Sequence, residues 1–284
     1  MIVGRFAPSP TGSLHVGSLI AALASYCEAR TQAGRWFVRI DDIDPPREEL
    51  GASERILQTL DRYGFSPDQI IYQSSRTNAY ASALRELNNQ AQLYTCACPR
   101  KDQPFCDCRL TQPAPRADRF HGYSHGTAIR FRLQDTPQWL DLIQPEFESL
   151  LIDPVVYRKD GLFSYALACA VDDSTEVSQV VRGFDLIELT AIQIALMQAL
   201  ERPIPVYAHV PVAVNSQQQK LSKQTLAEPV DALPILDTLF KVWGFLGQTP
   251  FKATSTSQFW DQALDKWSLD TIPKVGSRAN PVRS

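Results

Sequence analysis

The sequence predicts an α/β protein built on a parallel sheet with helices on both faces. Three observations carry that prediction. MIVGRFA at the start is strand-like; Val16, Leu19, Ile20, Leu23, Ala24 and Cys27 then recur at helical spacing; RWFVRI, 35–40, alternates and is β-rich. Strand, helix and strand at this spacing form a βαβ unit, whose strands run parallel. Ligands of such sheets sit at the carboxyl ends of strands. Two unusual stretches lie at such ends: PSPTGSLHVGS, 8–18, and DDIDPPRE, 41–48.

The remaining elements follow in order. Residues 54–64 and 79–93 have amphipathic helical spacing and complete a first half of the fold over 1–93. Residues 96–126 are rich in Pro, Cys and Gly without periodicity, and AIRFRL, 128–133, returns to strand. Residues 94–160 therefore read as an insert between two halves of a sheet. The second half, 161–230, opens with the buried-looking GLFSYALACAVDD. QVVRG then reads as a strand leading into a helix through Ile192, Leu196, Ala199 and Leu200. VYAHVPVAVN is strand-like and runs into QQQKLSKQ. In 231–284, Leu236, Leu239, Phe240 and Trp243 make one helical stripe, QFWDQALDKW a second helix, and VGSRANPVRS is expected to fray.

Composition narrows the function. With 44% hydrophobic and 21% charged residues, the 284-residue chain can fill one large core or a few smaller ones. A net charge of −3 excludes a global basic field, so nucleic acid would meet a local patch. The absence of a secretory pattern and of a membrane-length apolar window points to the cytoplasm, with no membrane partner. There the six cysteines are expected as thiols or metal ligands.

Three stretches carry chemistry. Gly12 and Gly17 let backbone approach a ligand, and a helix starting near Leu14 to Val16 aims its N–H groups at the loop, a ready anion site. His15 can hydrogen-bond a phosphate or ribose oxygen. Lys220-Leu221-Ser222-Lys223-Gln224 places two lysines around a small polar residue, suited to a mobile clamp on a triphosphate. Cys96, Cys98, Cys106 and Cys108 match a closed tetrahedral zinc site in a segment with little core of its own. His121 and His125 are weaker ligand candidates. Cys27 and Cys169 sit in apolar runs and read as core.

His15-Val16-Gly17-Ser18 at the first helix and Lys220-Leu221-Ser222-Lys223 after a late strand resemble the two nucleotide-binding motifs of class I aminoacyl-tRNA synthetases. Arg5-Phe6-Ala7-Pro8-Ser9-Pro10-Thr11-Gly12, Val38-Arg39-Ile40-Asp41-Asp42-Ile43-Asp44, Phe163-Ser164-Tyr165 and Val181-Arg182-Gly183 resemble glutamyl-tRNA synthetase motifs in the same order. The short stretch after the lysine loop and the cysteine-bearing insert are similar to the glutamyl-queuosine tRNA(Asp) synthetases. The resemblance implies a Rossmann-type class I catalytic domain with an inserted α+β zinc-containing subdomain and a short helical C-terminal segment, without an anticodon-binding domain. It also implies ATP-dependent activation of L-glutamate with Mg²⁺, a structural Zn²⁺, and transfer to queuosine in the anticodon stem-loop of tRNA(Asp), by a monomer.

The resemblance carries residue roles with it. Arg5, Phe6, Ala7, Pro8, Ser9, Asp41, Tyr165 and Arg182 would hold glutamate. Arg5 and Arg182 would each present a planar fork to a carboxylate, and Asp41 would take the ammonium. Which arginine takes which carboxylate stays open, and an ion pair of Arg182 with Asp172, Asp173 or Asp185 is the structural alternative. Gly12, His15, Gly17, Ser18, Lys220, Ser222 and Lys223 would hold ATP, with Lys223 first and Lys220 second as leaving-group clamp. The family usually has glutamate where this chain has Asp41, one methylene shorter, with Asp42 as fallback; Asp44 and Arg47 look structural. Cys106 stands in for the family's usual tyrosine ligand. Arg100, Lys101, Arg109, Arg116 and Arg119 of the insert are candidates for RNA phosphates. Rival readings are a minimal glutamyl-tRNA synthetase charging a tRNA 3′ end, a small-molecule nucleotidyltransferase, and a non-catalytic paralogue.

Overall fold

The computed structural model describes residues 1–99, 102, 106–115, 120, 126–144, 152–221 and 228–282. Its first half alternates strand and helix as expected: β1 (Val3–Phe6), α1 (Val16–Thr31), β2 (Arg35–Ile40), α2 (Ala52–Arg62), β3 (Gln69–Tyr72) and α3 (Thr77–Asn89). β1 pairs with β2 and β2 with β3, all parallel. The insert contributes β4 (Leu93–Cys96), the short α4 (Cys108–Thr111), β5 (Ala128–Phe131) and β6 (Val155–Tyr157). β4–β5–β6 is a separate antiparallel sheet.

The second half supplies α5 (Tyr165–Glu176), β7 (Gln179–Gly183), α6 (Ile187–Ala199), β8 (Val206–Val210) and β9 (Val212–Val214), then α7 (Ile235–Phe245), α8 (Thr256–Lys266) and β10 (Ser277–Ala279). β7 and β8 are parallel. Ser178 N donates to the Val3 carbonyl at 3.0 Å and Val3 N to Ser178 Oγ at 2.9 Å, which sets β7 beside β1. The spatial order is therefore β3–β2–β1–β7–β8. The chain winds away from β1 on one side and returns on the other. That reversal is where open α/β sheets bind ligands.

α1 buries far more than one stripe, with Ala22, Ser25, Tyr26, Glu28 and Ala29 joining the expected apolar positions. A helix apolar nearly all round is one covered on two sides, and here the sheet lies on one side and α7 and α8 on the other. Tyr26, Trp36, Phe65 and Trp260 pack edge to face or stacked under it. Glu28 is buried there, and Gln179 Nε2 and Trp267 Nε1 donate to its oxygens at 3.0 and 2.8 Å. Gly64, with φ of +82°, lets Trp260 seat: a Cβ there would fall 2.6 Å from its Nε1, which donates to the Tyr63 carbonyl. A second core joins α3, α5 and α6 to the insert sheet.

The expected frayed tail is corrected. Ser277–Ala279 forms β10, parallel to β9, and the Arg278 guanidinium lies 5.2 Å over the Phe245 ring and donates to the Phe245 carbonyl. β9 offers an open edge that a short polar segment can take. Its three residues are too few to show an alternating pattern. Among the described residues, no helix is long and apolar enough to cross a membrane.

Candidate active site

A cavity of about 450 Å³ opens at the carboxyl ends of β1 and β7, at the winding reversal. Arg5, Phe6, Ala7, Pro8, Ser9, Gly12, His15, Gly17, Ser18, Tyr165, Arg182 and Lys220, all singled out in the sequence, line it. Ser222 and Lys223 lie outside the described residues. On either side of them, Leu221 lines the cavity and Pro229 bridges to His15.

His15 is the N-cap of α1: its Nδ1 accepts from Ser18 N at 3.4 Å. The ring folds back over its own helix because residue 17 is glycine. A Cβ on Gly17 would lie 2.9 Å from His15 Cε1. With Nδ1 accepting, the proton sits on Nε2, where it can donate to a ligand oxygen. Burial, then the Lys220 charge, hold the imidazole down at about 4, so it is neutral at pH 7. The first turn of α1 carries no acidic residue, which leaves its positive end available to an anion. Lys220 rides a hairpin from β9, and its Nζ sits 2.5 Å from Asp185 Oδ2.

The two arginines differ from expectation. Arg5 gives Nε and Nη2 to Asp173 at 3.2 and 3.1 Å. Arg182 makes no ion pair with Asp172, Asp173 or Asp185 among the described residues. Instead its Nε donates to His209 Nε2 at 3.2 Å and its Nη2 to Thr190 Oγ1 and Gln193 Oε1 at 2.6 and 2.8 Å. Neither side chain keeps an open Nε/Nη fork, because the buried strands that carry them force each to satisfy its own nitrogens locally. The Asp173 contacts of Arg5 use its Nε and Nη2 and not its Nη1; Arg182 keeps Nη1, which is fully buried and has no hydrogen-bond partner among the described residues. Gln193 Nε2 and Tyr207 Oη are likewise buried and unpaired among the described residues. Such a cluster of orphaned polar atoms fits a missing polar ligand.

Asp41 is displaced from the expected arrangement. It lines a smaller recess, about 50 Å³, that shares Ser9, Thr11 and Tyr165 with the main cavity. Arg39 holds it, Nε to Oδ1 at 2.7 Å, and reaches Asp173 through Nη1 at 2.6 Å. Burial pushes Asp41 up to about 6 against the pull of Arg39. Asp173 is buried as well, but Arg39 and Arg5 outweigh burial and hold it well below the usual carboxylate range. The four-residue set Arg5, Arg39, Asp41 and Asp173 thus balances two cations against two anions. Asp42, the fallback, lines neither recess, and Ser74 N and Oγ donate to its oxygens at 2.8 and 2.7 Å. Asp44 accepts from Arg47 Nε at 2.5 Å, closing the turn after β2. Cys169 is buried but not inert core: Arg39 Nη2 lies 3.2 Å from its Sγ.

In the insert, the thiol sulfurs of Cys96, Cys98, Cys106 and Cys108 all lie within 4.8 Å of one another. Cys96–Cys106 and Cys98–Cys108 are 3.9 and 3.6 Å apart. Four thiolates at about 2.3 Å from a tetrahedral ion would be spaced at roughly 3.8 Å, so the set fits a metal centre. His121 and His125 lie outside the described residues, as do Arg100, Lys101, Arg116 and Arg119. Arg109 is described and partly exposed: its Nη1 and Nη2 donate to Asp153 and the Leu133 carbonyl at 3.0 and 2.7 Å.

The model of the family "tRNA synthetases class I (E and Q), catalytic domain" matches residues 1–104 and 99–248. The chain is 43% identical over 287 residues to a glutamyl-Q tRNA(Asp) synthetase of Aromatoleum aromaticum, covering 96% of this chain and 90% of that one. It is 40% identical over 288 residues to one of Escherichia coli O157:H7, covering 96% and 91%. Among solved structures, a glutamate tRNA ligase from Elizabethkingia meningosepticum superposes with a TM-score of 0.76 at 21% identity, over 99% of this chain and 67% of that one.

Proposed function

The chain belongs to the class I tRNA synthetases of the glutamate and glutamine group, and within them to the glutamyl-Q tRNA(Asp) synthetase family; from that premise we propose that it activates L-glutamate with ATP and transfers it to the queuosine base of tRNA(Asp). The observation that carries the reading is the buried, unpaired Nη1 of Arg182 beside the ligand cavity, a fixed cation of the kind a dicarboxylate requires.

ATP enters as its magnesium complex and lies on the opening loop. His15 Nε2 and the first turn of α1 meet its phosphates. Arg5 and Arg182 each give Nη1 to one glutamate carboxylate, and Asp41 takes the ammonium through the shared wall of Ser9, Thr11 and Tyr165. A single donor per carboxylate leaves the second α-carboxylate oxygen free. That oxygen attacks the α-phosphorus in line, and pyrophosphate leaves as Lys223, with Lys220, gathers its charge. A hydroxyl of the queuosine cyclopentenediol then attacks the acyl carbon, and AMP leaves. In the insert the four cysteines would hold one zinc ion, which would order the segment.

The acceptor is tested with matched tRNA(Asp) carrying queuosine or guanosine, without periodate treatment. Labelled glutamate should enter only the queuosine sample. Labelling of tRNA(Glu) instead would overturn the acceptor.

A pH profile tests the ammonium site. Below about pH 6 Asp41 becomes neutral and loses its grip on the substrate cation, so kcat/KM for glutamate should fall about tenfold per pH unit. It should be flat from about pH 6.5 to 8, since His15 stays neutral and Asp173 stays ionised there. Asp41→Asn should lower the plateau and remove the limb. A limb that persists in that variant would reassign it.

A further inference from the structure

One segment of the insert reaches β8 in the catalytic half. Asp141, between β5 and β6, bridges to Tyr207 of β8 as a parallel partner. Its Oδ1 accepts three backbone N–H groups, from Ile143, Gln144 and His209, at 3.0, 2.9 and 3.1 Å. Its Oδ2 lies 2.6 Å from His209 Nδ1. His209 is fully buried, with the Trp139 ring at its edge and Tyr207 stacked parallel to it. Its other nitrogen, Nε2, is the acceptor for Arg182 Nε.

The pattern admits one proton arrangement. An Asp141 carboxylate demands a proton on His209 Nδ1, which leaves a lone pair on Nε2 for Arg182. Burial and the nearby Arg182 charge keep the ring neutral despite Asp141. Thr190 Oγ1 lies 3.0 Å from the same Nε2 and 3.1 Å from the Leu186 carbonyl; with Nδ1 protonated, its hydroxyl can only donate to Nε2 beside Arg182 or to that carbonyl, so Nε2 remains an acceptor. Resting on the glutamate reading above, we propose that Asp141 and His209 are positioning residues for glutamate binding: Asp141 fixes the His209 tautomer, and His209 turns the Arg182 guanidinium so that Nη1 faces the substrate. The insert thereby supplies part of the amino-acid site.

Asp141→Asn tests this at nearly constant volume. The three backbone donors pin the amide oxygen where Oδ1 was, so the amide nitrogen faces His209 Nδ1. The imidazole proton then moves to Nε2, where it faces Thr190 Oγ1 and leaves Arg182 Nε without its acceptor. KM for glutamate in ATP–pyrophosphate exchange should rise roughly 10- to 100-fold, with KM for ATP and kcat within about threefold, the loss of one hydrogen bond to a charged group. His209→Gln keeps an acceptor near the Nε2 position. Because His209 is a positioning residue, its replacement should itself raise KM for glutamate, but with no imidazole tautomer left to fix, Asp141→Asn added to it should cost less than about twofold more. An unchanged KM in Asp141→Asn, or an equal penalty in both backgrounds, overturns the proposal. Should His209→Gln fail to fold, ¹⁵N-imidazole NMR of the unaltered chain decides: a proton on Nδ1 supports the relay, and one on Nε2 overturns it. A chain that shows no glutamate-dependent exchange at all would sink the substrate reading and leave the tautomer result standing.

Discussion

Arg182→Ala should lower kcat/KM for glutamate by about three orders of magnitude or more while ATP still binds. The change removes a buried charge contact to the substrate, and it strands His209, Thr190 and Gln193, whose acceptors Arg182 now fills. Each hydrogen bond to a charged group is worth about 1.5–3 kcal/mol, and a stranded buried acceptor adds a cost of similar size. Arg182→Lys should rescue little, since one ammonium cannot serve three internal acceptors and a ligand in one plane. Competition between glutamate and glutamine then settles which carboxylate Arg182 holds. If it holds the side-chain carboxylate, the variant loses its preference for glutamate; if it holds the α-carboxylate, both substrates weaken together. A variant with unaltered glutamate kinetics would remove Arg182 from the site.

The opening loop was legible because its signals are local. Gly17, His15 and the following apolar period lie within a dozen residues, and the N-cap geometry depends on nothing farther away. The four cysteines were legible for the same reason. The charge network was not. Arg5 meets Asp173 across 168 residues and Arg39 meets Asp173 across 134, so no local period reports either contact. One signal did exist: Asp172 and Asp173 interrupt an apolar run in α5, and paired carboxylates in a buried helix require cationic partners. Asp172 finds Arg76, Gln73 and Tyr80, while Asp173 finds Arg5 and Arg39. The planar forks expected of Arg5 and Arg182 meet the same point: of five N–H donors each, Arg5 gives two to Asp173, and Arg182 gives three to His209, Thr190 and Gln193, before any substrate arrives.

The network also gives a physical setting for Asp41. Arg39 anchors the shorter side chain at one oxygen and, through Asp173, couples it to Arg5. The ammonium and carboxylate contacts of one ligand thus share a single rigid frame. That frame is built from β1 and β2 of the first half and α5 of the second.

Metal removal should have the largest effect on stability. Among the described residues, the four cysteines share their cluster with Tyr94 alone, so little described hydrophobic burial holds them. A structural zinc contributes on the order of 10 kcal/mol to the folding of small metal-ordered units, far more than one ring can. Metal analysis should therefore find about one zinc per chain. Cys108→Ser should lose it, because Cys108 is a buried member of the set and begins α4. The Rossmann half has its own core under α1, so glutamate-dependent pyrophosphate exchange should survive within about tenfold. Transfer to queuosine-bearing tRNA should fall at least about a hundredfold, since the disordered segment is the one expected to meet RNA. Equal losses in both reactions would mean that the metal supports the whole fold, and protein free of zinc yet fully active in transfer would remove the metal from the mechanism.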